Sequence, residues 1–304
     1  MLSIIVPCYN EEAALPLYYA ELEKYLPQVG EYELILVDDG SADKTVEKAK
    51  ELKAKDEHIV ILSFSRNFGK EAAMLAGMTE AKGDYVVIMD ADLQDPPKLL
   101  PEMLQIVQSG EYDSVATYRV DRKGEPPIRS FFARRFYKLI NKMIDVEIVD
   151  GARDYRMMKR AMVEAILSMK EVNRFSKGIF AWVGFRTKYL EYENVERVAG
   201  ETKWSFWKLF GYAIEGIVGF TTAPLRIATI TGTLISGFGF LYMIYIALKA
   251  LIFGDPVAGF PSLIVIITLL GGIQLLVLGV IGEYLAKTYV ETKRRPSYII
   301  KERL

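Results

Sequence analysis

Three aspartates and a glutamine follow a short apolar run in the segment VIMDADLQD. Asp90, Asp92 and Gln94 occupy alternate positions directly after that run. Carboxylate and amide oxygens are the ligands that Mg²⁺ and Mn²⁺ prefer, and magnesium held by one or two carboxylates usually completes its shell with phosphate oxygens and water. The pattern therefore predicts a divalent metal site whose other ligands come from a bound diphosphate.

Asp95, the third aspartate of the segment, has a second interpretation. It directly precedes Pro96 and Pro97, and aspartate is preferred at helix N-caps while proline is preferred in the first helical turn. The residue could therefore cap the helix that follows. This alternative applies to Asp95, but it does not explain Asp90 and Asp92, which precede any cap.

The elements that must position these groups are visible as an alternation of apolar runs and helix-like segments. Strict alternation predicts an α/β fold with a mostly parallel sheet that is covered by helices on both faces. We predict strands in LSIIVPC, ELILV, IVILSF, DYVVIM and DSVAT, and helices over Glu11–Leu26, Ala42–Lys55, Lys70–Ala81 and Pro97–Gln108.

Polar segments follow four of the predicted strands: YNEE, DDGSAD, SRNFGK and DADLQD, in that order. In open α/β sheets ligands bind outside the carboxyl ends of the strands, so we expect these segments to form one site. Asp38 and Asp39 also suit a turn with Gly40, which we expect to account for one of the two aspartates. No G-x-G-x-x-G follows any predicted strand, which argues against dinucleotide redox chemistry.

The single cysteine and the single histidine exclude two other classes of site. Cys8 has no partner within the chain, so no intrachain disulfide can form and nothing indicates an oxidising compartment. A histidine-based triad would need His58, which stands in DEHIVILSF at the start of a predicted strand. We therefore expect His58 to have a structural role.

Charge is distributed unevenly along the chain, although the net value is only −1. Residues 1–118 hold 22 acidic and 10 basic residues, whereas residues 119–142 hold 8 basic and 2 acidic ones. Within this basic stretch, PPIRSFFARRFYKLINKMI has apolar residues near helical spacing with basic residues between them. Such a helix can lie in the headgroup layer of a membrane or can be an ordinary amphipathic helix on a domain surface. We expect no nucleic-acid partner.

Two long uncharged segments near the C-terminus indicate a membrane anchor. Ile227–Leu248 and Val257–Gly282 are each long enough to cross a hydrocarbon core of about 30 Å. The alternative is a buried helical hairpin in a soluble core. We predict three parts: a catalytic domain over 1–202, an interfacial helix over 203–225, and a two-helix transmembrane hairpin with a basic tail over 226–304.

Basic residues on both sides of the predicted hairpin set its orientation. Lys203, Lys208 and Arg226 precede the first span and KRRPSYIIKERL follows the second, so the positive-inside rule places both ends in the cytoplasm and the short loop outside. The N-terminus lacks the features of a signal peptide, so we expect a cytoplasmic catalytic domain on a multi-pass protein of the cell inner membrane. Gly232 and Ser236 form a small-residue pair that permits close helix packing.

Six motifs occur in order along the chain: VPCYNEE, VDDGSAD, SRNFGKEAAMLAG, MDADLQDPP, DYRMM and GETKWSFWKL. Followed by two long apolar segments, they resemble the family 2 glycosyltransferases that load polyprenyl phosphates, which include bactoprenol-phosphate glucosyltransferases and dolichol-phosphate mannose synthases. The resemblance covers nearly the whole chain, and the combination is specific although each motif alone is not. It implies a GT-A fold, a nucleotide-sugar donor, Mg²⁺ or Mn²⁺, an inverting transfer, a polyprenyl phosphate acceptor such as undecaprenyl phosphate, and a homo-oligomer, a tetramer in relatives.

The resemblance also assigns donor-binding roles to residues of this sequence. It implies that Pro7, Tyr9 and Glu11 line the nucleoside pocket and that Asp39 contacts the nucleoside. Lys70 is implied to be a further donor-binding group.

The remaining assignments concern the diphosphate, the reacting centre and the acceptor. The resemblance implies that Asp90, Asp92 and Gln94 form the metal and diphosphate site, and that Asp154 in DYRMM lies near the reacting centre, commonly as a base. The acceptor phosphate is matched to four basic residues: Arg119, Arg134, Arg135 and Lys203. Because Arg134 and Arg135 are adjacent, the sequence leaves open which of the two meets the acceptor.

The chemistry of the acceptor qualifies the role of Asp154. A phosphate monoester has its second pKa near 6, so the acceptor already carries an anionic nucleophilic oxygen at neutral pH. We therefore expect Asp154 to orient the sugar or the acceptor, or to take a residual proton, more than to act as an essential base. The larger requirement is for cations at both the diphosphate and the acceptor phosphate, because two anions must meet.

Two other functions share parts of this pattern. A processive polysaccharide synthase would have the same donor site, but that class usually has more membrane helices and a Q-x-x-R-W segment, which this sequence lacks. A non-catalytic membrane scaffold would be expected to have lost the metal and phosphate ligands. UDP-glucose is the leading donor, with UDP-N-acetylglucosamine, UDP-galactose and GDP-mannose open, and the product would be a lipid-linked sugar for modification of cell-envelope glycans.

Overall fold

The chain divides into two compact units, Met1–Ala213 with Arg295–Leu304 and Ile214–Arg294. The structure, a computed structural model, describes residues 1–119, 141, 149, 151–192, 218, 221–253 and 259–304. The sequence analysis assigned the last ten residues to a membrane-anchor tail. The structure assigns them to the first unit, because they include a strand of its sheet.

The described part of the first unit is built on one sheet of eight strands. Their order across the sheet is β7-β5-β6-β4-β1-β2-β3-β8. The strands are β1 Leu2–Cys8, β2 Tyr32–Asp38, β3 Ile59–Phe64, β4 Tyr85–Ile88, β5 Ser114–Arg119, β6 Ala152–Lys159, β7 Thr187–Tyr192 and β8 Ile300–Arg303.

The sheet is mixed but mostly parallel, which confirms the predicted fold class. Strands β4, β1, β2 and β3 are parallel neighbours, and β5 is parallel to β7. Strand β6 is antiparallel to both β4 and β5, and β8 is antiparallel to β3. The first five strands were predicted from the sequence, whereas β6, β7 and β8 were not.

The helices of the first unit follow the strands closely in sequence. A 3₁₀ turn, Pro97–Leu99, precedes the fifth helix. The helix predicted over Glu11–Leu26 is observed only over Ala14–Leu22, and Leu26 begins a separate short helix with Pro27 in its first turn. The helices in the described part of this unit are α1 Ala14–Leu22, α2 Leu26–Val29, α3 Thr45–Lys53, α4 Lys70–Glu80, α5 Leu100–Gln108, α6 Arg160–Ser168 and α7 Ser176–Trp182.

Both faces of the central strands are buried. In β1, Leu2, Ile4 and Val6 belong to the main apolar cluster with side chains of α1 and α5. On the other face α4 packs against β1 so closely that a Cβ at Gly77 would lie 2.2 Å from Cγ2 of Ile5. Burial on two faces explains why the parallel strands are continuous apolar runs rather than alternating ones.

Strand β8 covers the edge of the sheet at β3. Arg303 pairs with Leu62 and Ile300 pairs with Phe64, with a register shift between Ser63 and Phe64. The ring of Tyr298 stacks on that of Phe64 with centroids 5.2 Å apart. The C-terminal segment is thus fastened to the sheet by backbone pairing and by a ring contact.

The second unit contains two long helices, α8 Ala223–Phe253 and α9 Phe260–Thr292. Both are long and apolar enough to cross a membrane by length and composition, and none of the side chains in their most apolar windows is buried inside the chain. The buried-hairpin alternative is therefore wrong for the described residues. Helix α9 continues ten residues beyond the predicted end at Gly282. The predicted interfacial helix over 203–225 and the amphipathic stretch PPIRSFFARRFYKLINKMI lie largely outside the described residues.

Candidate functional site

The carboxyl ends of β1 to β4 meet at one edge of the sheet, because these four strands are parallel neighbours. The polar segments that follow them therefore converge there. Asn10 follows β1, and its backbone N–H donates to Ser41 Oγ in the segment after β2 at 2.9 Å. Its side-chain Oδ1 in turn accepts from the N–H of Ala42 at 2.9 Å. The first two loops of the site are thus joined directly.

The segment after β2 contains the turn that the sequence predicted. Asp38 accepts from the N–H of Ser41 at 3.1 Å and from the hydroxyl of Ser63 at 2.8 Å, so the expected turn role belongs to Asp38. Gly40 has φ +69°, and a Cβ there would lie 2.4 Å from the carbonyl carbon of Arg66. The loops after β2 and β3 therefore touch through their backbones, which requires glycine at this position.

Asp39 fastens the loop that leads into α4. Its carboxylate accepts from the N–H of Phe68 at 2.6 Å and from the N–H of Gly69 at 2.9 Å. Burial raises the pKa of Asp39, although these two backbone donors act in the opposite direction. The carboxylate therefore positions the residue that follows, Lys70, which begins α4.

Strand β6 brings Asp154 to the metal-site segment. In its antiparallel pairing with β4, Ile88 lies opposite Arg156, and the same register continued by two residues sets Asp90 opposite Asp154. Lys70 bridges the two carboxylates, with Nζ 2.7 Å from Asp90 Oδ1 and 2.8 Å from Asp154 Oδ2. Three predicted site residues that are far apart in sequence thus form one ion cluster.

The ion cluster fixes the charge state of Asp154. Burial raises the pKa of this carboxyl, but Lys70 and Lys177 oppose that effect and hold the pKa below its usual value. The pKa of Lys70 is lowered by burial and raised more strongly by Asp154 and Asp90, so it lies above its ordinary value. Asp154 is therefore ionised at neutral pH and weakly basic while Lys70 contacts it, which suits an orienting role better than proton abstraction.

Asp95 does not cap the following helix, so that alternative is wrong. Among the residues that the structure describes, no side chain caps the 3₁₀ turn at Pro97–Leu99. Asp95 is 1% exposed and accepts from the N–H of Asp90 at 3.1 Å. Its other oxygen lies 3.4 Å from Nη2 of Arg153, which is also 3.7 Å from Asp90. Asp95 is thus a buried carboxylate that positions the backbone of Asp90 and the guanidinium of Arg153.

The predicted metal ligands Asp90, Asp92 and Gln94 carry the types of oxygen donor that suit a divalent cation shared with a bound phosphate. Asp92 is 7% exposed, and its Oδ1 accepts from the N–H of Gln94 at 3.0 Å, which folds the segment back on itself. Among the described residues no group of three His, Cys, Asp or Glu side chains forms a complete metal site. Two carboxylates and an amide oxygen suit magnesium or manganese that takes its remaining ligands from a diphosphate and water. The ammonium of Lys70 between two carboxylates shows that the cluster attracts a cation.

The other predicted residues are only partly covered by the structure. Pro7 lies in β1, and Tyr9 directly follows that strand with 39% of its surface exposed. The N–H of Glu11 donates to Thr45 Oγ1 at 2.8 Å. The backbone of Arg119 ends β5. The remaining acceptor-site predictions, Arg134, Arg135 and Lys203, lie outside the described residues.

Two residues beside Asp154 and Lys70, Arg153 and Glu71, were not predicted from the sequence. Arg153 was not predicted because its partner Asp95 also suited a helix cap, and the sequence left these two roles of Asp95 open. Glu71 accepts from the N–H of Ser176 at 3.1 Å and from the Ser176 hydroxyl, which links α4 to the start of α7. Burial and the nearby Asp154 raise the pKa of Glu71 to about 7. Arg153 and Glu71 each adjoin a predicted site residue, and this adjacency was the available signal.

The packing of the single histidine and the burial of the single cysteine are typical of structural residues. His58 Nδ1 lies 2.8 Å from Asp56 Oδ1, and the imidazole packs on the ring of Tyr32 with centroids 4.9 Å apart. Cys8 is a buried free thiol in β1. The surroundings of His58 agree with the structural role expected from the sequence.

The chain is similar to known proteins over most of its length. Residues 3–167 match the family described as glycosyl transferase family 2. The prophage bactoprenol glucosyl transferase homolog of Escherichia coli (strain K12) is 44% identical over 306 residues, which covers 99% of this chain and 98% of that protein. The bactoprenol glucosyl transferase of Shigella phage SfV is 43% identical over 301 residues, with coverage of 99% and 98%. Among solved structures, glucosyl-3-phosphoglycerate synthase from Mycobacterium tuberculosis in complex with Mn²⁺ and UDP-glucose has a TM-score of 0.49 and 17% identity, and covers 72% of this chain and 77% of that chain.

Proposed function

Because this chain belongs to glycosyl transferase family 2 and is a glycosyltransferase with a GT-A fold, we propose that it transfers one sugar from a nucleotide sugar to a polyprenyl phosphate. We propose UDP-glucose as the donor and undecaprenyl phosphate as the acceptor. The observation that carries the proposal is the cluster of Asp90, Asp154 and Lys70 at the carboxyl edge of the sheet. The names of two nearly full-length relatives, which specify bactoprenol and a glucosyl group, support the choice of acceptor and sugar.

The reaction is a substitution at the anomeric carbon of the sugar. An oxygen of the acceptor phosphate attacks this carbon from the side opposite the diphosphate, a new carbon–oxygen bond forms, and the bond to the diphosphate breaks. The nucleoside diphosphate leaves with the electron pair, so the configuration inverts. A dianionic acceptor has no proton to lose, so the atoms and charges balance without a general base.

Asp90, Asp92 and Gln94 would hold Mg²⁺ or Mn²⁺. When bound, such an ion supplies positive charge that stabilises the diphosphate as it leaves. Lys70 is placed to contact the same diphosphate, because its ammonium already lies 2.7 Å from Asp90 Oδ1. Asp154 remains ionised and orients the sugar or the acceptor.

The two long helices are proposed to anchor the protein in the cell inner membrane. Residues on both sides of the helix pair belong to one sheet, since β8 pairs with β3, and this supports an even number of crossings independently of charge. The basic residues around the helices favour cytoplasmic ends, where nucleotide sugars are available. A homo-oligomer is part of the same proposal.

A labelling experiment tests this topology. In a Cys8→Ser background, a cysteine at Gly259, which precedes α9, is expected to react with an impermeant reagent added outside the cell. A cysteine at Ser297, close to β8, is expected to react only after the membrane is opened. The reverse pattern would place the catalytic domain on the side that lacks nucleotide sugars and would overturn the orientation.

The function itself is tested with the purified full chain, a polyprenyl phosphate and a panel of labelled nucleotide sugars. We expect a single sugar in the lipid extract, with UDP-glucose the best donor and no product without Mg²⁺ or Mn²⁺. A polymer would identify a processive synthase instead, and no product with any donor would favour a non-catalytic scaffold. A different best donor would change the sugar while leaving the reaction class intact.

A further inference from the structure

A pocket opens beside the ion cluster, between strand β6, helix α7 and strand β7. It has a narrow end and a wide end that share the lining residues Val149, Phe180, Ala181 and Tyr189. None of its lining residues was assigned a role by the sequence analysis, and the pocket lies entirely within the first unit.

The narrow end is cationic. Arg153, Arg156 and Lys177 line it, and its volume of about 10 Å³ is room for a single oxygen atom of the size of water. Arg156 is 4% exposed, its guanidinium lies 4.6 Å from the ring centre of Phe180, and its Nε has no hydrogen-bond partner in the described part of the chain. A buried guanidinium donor without a partner is costly, so this end suits an anionic oxygen.

Five of the six residues that line the wide end are apolar or aromatic. It has a volume of about 230 Å³, and Phe185 and Thr187 complete its lining. Because the two ends share four lining residues, a molecule with an anionic head and an apolar chain matches them in order of charge and residue type. Inorganic phosphate would use the narrow end alone, and a neutral lipid would use the wide end alone.

Asp154 lies on the same strand as two residues of the cationic end of the pocket. Asp154 belongs to the strand that carries Arg153 and Arg156, and it interacts electrostatically with Lys70 on the side of the metal segment and with Lys177 from the pocket lining. Asp154 therefore connects the predicted diphosphate site with the cationic end of the pocket. A phosphate in this position would be close to the reacting centre.

We propose that this pocket binds the acceptor, with one phosphate oxygen at the cationic end formed by Arg153, Arg156 and Lys177 and the first isoprene unit at the apolar end beside Phe185. The inference rests on the proposed function and deepens it, because it names a part of the acceptor site that the sequence analysis did not. It adds these residues to Arg119, Arg134, Arg135 and Lys203 and does not depend on them.

The test uses the full chain in detergent, with farnesyl phosphate as the acceptor probe and calorimetry as the first readout. Lys177→Gln removes a charged hydrogen-bond donor, so the Kd and KM for farnesyl phosphate should rise roughly 10- to 150-fold. Phe185→Ala should raise the Kd for farnesyl phosphate roughly tenfold because it removes apolar contact area. Inhibition by inorganic phosphate should weaken in Lys177→Gln and stay unchanged in Phe185→Ala.

Lys188→Gln is the matched control. Lys188 is an exposed lysine of β7 that does not line the pocket, and its Nζ lies 5.7 Å from the ring centre of Tyr112. It should bind farnesyl phosphate as the wild type does. Nucleotide-sugar affinity should be unchanged in all three variants, which shows that each is folded. If Lys177→Gln and Phe185→Ala both bind farnesyl phosphate normally, the pocket assignment is wrong, although transfer by the wild type would still support the proposed function. If the wild type neither binds farnesyl phosphate nor transfers a sugar to it, both fail.

Discussion

Asp92→Asn is expected to reduce sugar transfer by about 10³-fold while leaving the fold intact. The substitution removes the charge of a carboxylate that is proposed to hold the metal against the diphosphate. It keeps the oxygen that accepts from the N–H of Gln94 at 3.0 Å, so the local turn should persist. The measurement is turnover at saturating Mg²⁺ or Mn²⁺, together with the melting temperature of the protein.

Asp84→Asn is the matched control for this variant. Asp84 directly precedes β4 and so lies at the opposite end of the same strand, with a side chain that is 79% exposed. The same change of charge should leave turnover near the wild-type value there. Near-normal transfer by Asp92→Asn at saturating metal would show that Asp92 is not a metal ligand.

Lys70→Met is expected to separate metal binding from donor binding. Lys70 contacts Asp90 at 2.7 Å and Asp154 at 2.8 Å, so its ammonium competes with a metal ion for Asp90 when no donor is present. Without the ammonium, Mn²⁺ should bind more tightly to the protein alone. The nucleotide sugar should bind roughly 10- to 150-fold more weakly because a charged hydrogen bond to the diphosphate is lost, and kcat/KM should fall by about 10²- to 10³-fold.

Calorimetric titrations of Mn²⁺ and then of the nucleotide sugar measure the two effects separately. Lys70→Arg keeps the positive charge and should retain a substantial part of the donor affinity. Weaker Mn²⁺ binding in Lys70→Met with unchanged donor affinity would contradict the proposed role, since Lys70 would then support the metal site and not the diphosphate.

The central part of the fold could be predicted from sequence because its strands are continuous apolar runs. The bounds of β1 and β3 were predicted to the residue. Strand β6 was not predicted, because Arg153, Asp154 and Arg156 interrupt the apolar pattern that identifies a buried strand. These charges are tolerated there only through tertiary partners, such as Asp95 for Arg153 and Lys70 for Asp154, and no local pattern shows those partners.

The same limit explains what was missed at the site. The polar ends of the parallel strands indicated where the site lies, because chain direction alone brings those ends together. The approach of Asp154 to Asp90 and Lys70 depends on the register of an antiparallel strand, in which Ile88 pairs with Arg156. Asp95 was ambiguous because Pro96 and Pro97 make it a good local cap, whereas its actual partners, Asp90 and Arg153, depend on the tertiary fold. Local sequence preferences predicted the strands and helices, whereas long-range pairing determined the contacts of the charged site residues.

The pairing of β8 with β3 also imposes an order on biosynthesis. The ribosome must complete both long helices before the strand that covers the β3 edge exists, so the nascent catalytic domain has an incomplete sheet throughout the synthesis of those helices. An uncovered edge presents unpaired N–H and C=O groups to which other chains can pair. A chain shortened before α8 to obtain a soluble catalytic domain would keep that edge open permanently. Recombinant work on the catalytic domain alone therefore requires that residues 295–304 be joined back to it through a linker.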